Sequence, residues 1–106
     1  MTTGCSIVIT TTNSQESADK IAGEVLERKL AACVQVFPVV SHYRWKGALQ
    51  KDDEILLQMK ARTEDFAALD AAIRAVHPYE TPEIVRVDIA EGNGDYIDWI
   101  IQSTQR

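Results

Sequence analysis

Cys33-Val34-Gln35-Val36-Phe37-Pro38-Val39-Val40-Ser41-His42-Tyr43-Arg44-Trp45, then Lys46-Gly47 and a second run over residues 48–61, decides the fold. Alternate residues of the first run form two sets. Cys33, Gln35, Phe37, Val39, Ser41, Tyr43 and Trp45 share one side, and Val34, Val36, Val40, His42 and Arg44 the other. Period-two alternation in β-branched and aromatic residues is a strand signature. The second run places Ile55, Leu57, Met59 and Ala61 on one face, and Lys46-Gly47 reads as the turn between the two strands. Pro38 cannot donate to a ladder and marks a bulge or an edge. Asp52-Asp53-Glu54 is expected to interrupt the second strand as a bulge or solvated edge, since its spacing is not that of a calcium loop.

Working outward, residues 5–11 alternate in polarity and predict a strand. Asn13, three residues before Glu16, suits an N-cap with a capping-box partner. Ala18, Ile21, Ala22, Val25 and Leu26 then recur at helical spacing, predicting a helix over 14–30. Thr63 is expected to cap a second helix with the apolar stripe Phe66, Leu69, Ile73 and Val76, which His77-Pro78 ends. Residues 83–90 predict a fourth strand with Val85, Val87 and Ile89 inward, and Gly92-Asn93-Gly94 opens a short terminal helix with Ile97, Trp99, Ile100 and Ile101.

The order β-α-β-β-α-β plus a helix defines a single α+β domain over residues 1–106. It is a ferredoxin-like βαββαβ sandwich with an extra C-terminal helix and a long central β-hairpin. A strand over 33–45 is about 43 Å long, whereas a domain of this size is roughly 33 Å across. The hairpin must bend or project, and an apolar projecting edge calls for a covering chain. A homo-oligomer is expected, with Tyr43, Trp45 and Trp99 in its interface.

Eleven Lys and Arg against sixteen Asp and Glu give a net charge of −5, which argues against nucleic acid or an anionic membrane as the main partner. No apolar run is long enough to span a bilayer, and residues 1–5 lack the pattern of a signal peptide. Cys5 and Cys33 are too few for a disulfide framework and read as reduced thiols of a cytoplasmic protein.

One segment is chemically dense: His77-Pro78-Tyr79-Glu80-Thr81-Pro82-Glu83. Two prolines hold an imidazole, a phenol and two carboxylates extended between a helix and a strand. It reads either as a binding or metal-contacting loop or as a rigid connection with His77 capping the helix by charge. His77 is the foremost metal-ligand candidate, with Cys33, Glu80 and Glu83 beside it. A soft cation such as copper accepts imidazole and thiolate. Tyr79 and Lys60 are the candidates for a ligand cleft. Zinc-type spacing, a nucleophile elbow and a phosphate loop are all missing from the sequence. The chain is therefore read as non-catalytic, with His77 and Glu80 as an acid–base pair the weakest alternative.

Four segments, in this order and at these separations, carry a resemblance. They are Lys29-Leu30-Ala31-Ala32-Cys33-Val34, Tyr43-Arg44-Trp45-Lys46-Gly47, the segment His77 to Glu83, and Asp95-Tyr96-Ile97-Asp98-Trp99. Over about residues 6–101 the chain resembles the CutA divalent-cation-tolerance family. The resemblance implies a ferredoxin-like subunit, a tight homotrimer similar in architecture to PII signalling trimers, and a link to tolerance of divalent metals, copper among them. The family's copper site uses a cysteine near the end of the first strand and two adjacent histidines before the Pro-Tyr. Here those positions are Thr11, Val76 and His77, so only His77 is a copper ligand type. The alternative is a PII-like adaptor that binds a small molecule or protein and is linked to metals only indirectly.

Overall fold

The computed structural model describes residues 3–106. Four strands form one antiparallel sheet: β1 (Cys5–Thr12), β2 (Cys33–Trp45), β3 (Ala48–Arg62) and β4 (Val85–Asp88), in the spatial order β2-β3-β1-β4. Helices α1 (Gln15–Glu27) and α2 (Phe66–Val76) cover one face, and α3 (Gly94–Ser103) sits at one end of the other.

The two faces follow from register. β1 pairs with β3 so that Val8 meets Met59 and Thr10 meets Leu57. β2 brings Val34 to Met59 and Val36 to Leu57. These side chains point at α1 and α2, where Ile21, Val25, Leu69 and Ile73 are buried against them. The intervening positions form the second face. At one end of it Cys5 is buried under Ile97 and Ile100 of α3. The rest stays open and leaves Phe37, Val85 and Val87 exposed. The expectation that Val85 and Val87 point inward is thus corrected. Arg86, between them, pairs with Val8 and lies over the Phe66 ring on the helical side, so the two valines face away.

The central hairpin is as long as its pattern requires. Pairing runs unbroken from Cys33↔Lys60 to Trp45↔Ala48. Pro38 is tolerated because β2 is an edge strand, not because a bulge forms. The acidic triplet does not interrupt β3 either: Asp52 and Asp53 are exposed, and Glu54 between strand and loop is buried. Lys46 (φ 49°) and Gly47 (φ 81°) close the hairpin. Both lie at the positive φ of a primed two-residue turn, whose twist matches the strands. β1 pairs only as far as Thr12↔Ile55, so residues 39–45 and 48–54 project beyond it. The long axis of the chain is accordingly 44 Å, against 27 and 22 Å for the others.

Helix boundaries moved for identifiable reasons. Ser14, not Asn13, is the N-cap of α1, its hydroxyl accepting from the Ser17 amide. The helix stops before Leu30 because Lys29 turns left-handed (φ 56°). The Leu30 amide then donates to the Val25 carbonyl and the Lys29 amide to that of Leu26, which is a Schellman ending. Buried Leu30 and Val25 supply its apolar contact. Thr63 does not cap α2: its hydroxyl lies 2.6 Å from that of Ser6, and residues 63–65 form a 3-10 turn leading into α2. Asp65, at the start of α2, receives both terminal nitrogens of Arg106, at 2.7 and 3.2 Å.

Candidate ligand-binding cleft

The dense segment lies where β1 ends. The Cys5 carbonyl accepts from Ile89 on the β4 side, and carbonyl direction alternates along a strand. The Thr11 carbonyl therefore also faces that side, two residues past the last β4 pair, Ile9↔Val85. His77 takes the missing strand's place. Its Nε2 lies 2.8 Å from the Thr11 oxygen, while its Nδ1 accepts from the Tyr79 amide at 3.1 Å. An Nδ1 that accepts a hydrogen bond carries no proton, so the ring is the neutral tautomer that donates from Nε2. Burial agrees, holding the imidazole below its ordinary 6.5 against the opposing pull of Thr11 and Glu54. His77 thus bridges β1 and its own loop, and does not act as a charged cap on α2.

The loop then turns Tyr79 under β3. Its ring meets the His77 ring edge-on at 4.8 Å, and its hydroxyl donates to Glu54 Oε2 at 2.6 Å. Burial first, and Glu54 second, push the phenol far above its ordinary range. On the facing hairpin the Tyr43 hydroxyl donates to Asp52. Between loop and hairpin lies a cavity of about 650 Å³ whose wall includes Tyr43, Trp45, Glu54, Tyr79, Glu80 and Glu83.

Of the residues expected from sequence, Tyr79, Glu80 and Glu83 come together here. Tyr43 and Trp45, expected at an interface, line the same cavity and are each 40% exposed. Trp99 is on α3, stacked on Tyr96 at 5.5 Å and equally open. Lys60 does not belong to the cleft. It lies on the Cys33 row of the sheet, four residues along β3 from the Leu56–Thr11 row, or about 13 Å. Its ammonium donates to Gln35. Cys33 is displaced from His77 in the same way. Sequence reasoning missed Glu54 because it sits in an acidic run that reads as solvated. The signal was its parity, which puts it opposite in facing to Ile55 and Leu57 and on the side of Tyr43.

A divalent cation fits the four expected donors poorly. Both His77 nitrogens are engaged, Cys33 is remote, and among the described residues no three His, Cys, Asp or Glu side chains converge as a metal site. His77, Cys33, Glu80 and Glu83 therefore do not form one ligand set within this chain.

Fold and cleft together define a ferredoxin-like domain with an over-long hairpin and an acidic, aromatic cleft at its root. Residues 6–103 match the CutA1 divalent ion tolerance protein family, and the chain belongs to that family. It is 44% identical over 99 residues to the divalent-cation tolerance protein CutA of Thermus thermophilus, covering 92% of this chain and 96% of that protein. It is 46% identical over 84 residues to the CutA homolog of Xenopus laevis, covering 78% of this chain but only 56% of that longer protein. The structure of the periplasmic divalent cation tolerance protein CutA from Archaeoglobus fulgidus superposes with a TM-score of 0.93 at 36% identity, covering 95% of this chain and 99% of that one. No helix among the described residues is long and apolar enough to cross a membrane.

Proposed function

We propose that this chain is one subunit of a cytoplasmic homotrimer that serves divalent-cation tolerance, with copper the metal of first interest, as a non-catalytic binding protein whose site is the hairpin–loop cleft. The observation that carries the reading is the cleft itself, a cavity of about 650 Å³ whose wall includes three carboxylates, three aromatic rings and the His42 imidazole. The trimer is supported by the open sheet face, where Phe37, Val85 and Val87 stay exposed, and by Trp99 of α3, which is exposed as well. An apolar area of this kind marks an association surface. The cytoplasmic assignment is supported by two cysteines that are both free. Catalysis by His77 and Glu80 finds no support, since the imidazole is held at both nitrogens.

The same observation favours a second reading over direct copper ligation at His77: a PII-like adaptor, with the link to metals made through another ligand. Calorimetric titration of the reduced, metal-free protein with copper and zinc, beside Glu80→Gln/Glu83→Gln, tests the two. Binding lost in the double variant makes the cleft a direct metal site. Metal binding indifferent to the cleft refutes the site assignment, and no metal binding leaves the adaptor. Sedimentation at several concentrations tests the trimer, and a monomer at all of them refutes it.

A further inference from the structure

We propose that the cleft takes a small organic ammonium ion, a deepening that rests on the reading of this cavity as the binding site. Glu54 is 8% exposed, and among the described residues its carboxylate accepts a hydrogen bond from the Tyr79 hydroxyl alone. Among the described residues of this single chain no Lys, Arg or His lies within ion-pair distance of Glu54, Glu80 or Glu83, and the cavity wall contains His42 but no Lys or Arg. A carboxylate so deeply buried is costly without a cationic partner. Glu54 itself lines the cavity.

Its chemistry is set by size and by wall. About 650 Å³ is the space of a small organic molecule and far exceeds a bare metal ion. The carboxylates are spread around this volume and do not converge on a point, as inner-sphere metal binding requires. Tyr43, Trp45 and Tyr79 supply aromatic faces to the wall, beside the His42 imidazole and the hydroxyls of Ser41 and Thr81. Aromatic faces attract alkylammonium groups, while the carboxylates accept N–H bonds and balance the charge. An aliphatic amine satisfies both parts of this wall.

The test uses the intact assembled protein and spermidine as probe, titrated by calorimetry at low salt. Saturable binding is expected, weakened about tenfold in Glu80→Gln/Glu83→Gln, two exposed positions. Glu16→Gln/Glu27→Gln removes the same charge from α1 and is expected to bind as the parent does. Equal weakening in both double variants means general attraction to an acidic protein and overturns the proposal, as does the lack of saturable binding. If copper binds at the cleft while spermidine does not, this inference falls and the cleft reading stands. If neither binds there, both fall.

Discussion

His77→Ala should destabilise the fold by about 2 kcal/mol, although the residue lies just past the end of a helix, in a loop. The ring donates to the Thr11 carbonyl and accepts from the Tyr79 amide. Each such bond contributes about 1 kcal/mol net, and more where the abandoned group stays buried. Thr11 is buried and Tyr79 half-buried, so water replaces the ring incompletely. Urea unfolding at fixed protein concentration, at pH 8 where the ring is neutral in both states, is the assay. With a slope of about 1–2 kcal/mol per molar for a domain of this size, the midpoint should fall by roughly 1–2 M. An unchanged midpoint would mean that the imidazole does not hold β1 to the loop. His77 would then revert to the free ligand that its sequence context first suggested.

Three further outcomes are expected. Burial holds His77 below 6.5, so between that value and its folded pKa the unfolded chain binds a proton that the folded chain does not. Its contribution is present above 6.5 and is lost as pH falls through the folded value; the urea midpoint should drop over that window in the parent and show a smaller step in His77→Gln. Lys29→Gly should raise stability by up to about 1 kcal/mol, because glycine carries no Cβ penalty at φ 56°; a loss in thermal unfolding would contradict the Schellman ending. Val87→Asp, on the open sheet face, should dissociate the proposed trimer in sedimentation while leaving the circular dichroism of the subunit intact; an undisturbed trimer would remove that face from the interface.

The fold was legible because its decisive patterns are long. The alternation over 33–45 and 48–61 survives even where Pro38 and the acidic triplet argue locally for a break. Ends were less legible, since they depend on distant groups. Thr63 is a good cap until Ser6 takes its hydroxyl, and Lys29 stops α1 with no glycine to announce it. Val85 and Val87 look like core residues in isolation; only the pairing of Arg86 with Val8 turns them outward. At the cleft, Tyr79, Glu80 and Glu83 could be found because they are neighbours in sequence. Glu54 could not, since its tie to Tyr79 spans 25 positions. His77 was found with its role left open between ligand and structural partner: the identity of a side chain reveals its chemistry, but not whether the backbone engages it.

The projecting half of the hairpin has a consequence in the time domain. Residues 39–45 and 48–54 form a two-stranded ribbon flanked by neither β1 nor β4. Such ribbons are marginal in water. In a lone protomer its amides should open by local unraveling from the Lys46-Gly47 end and trade hydrogen for deuterium long before those of β1. The tethers from Tyr43 to Asp52 and from Tyr79 to Glu54 make the opening graded from tip to root. Association that covers the ribbon would slow the tip most, so its exchange rate becomes an internal clock for assembly.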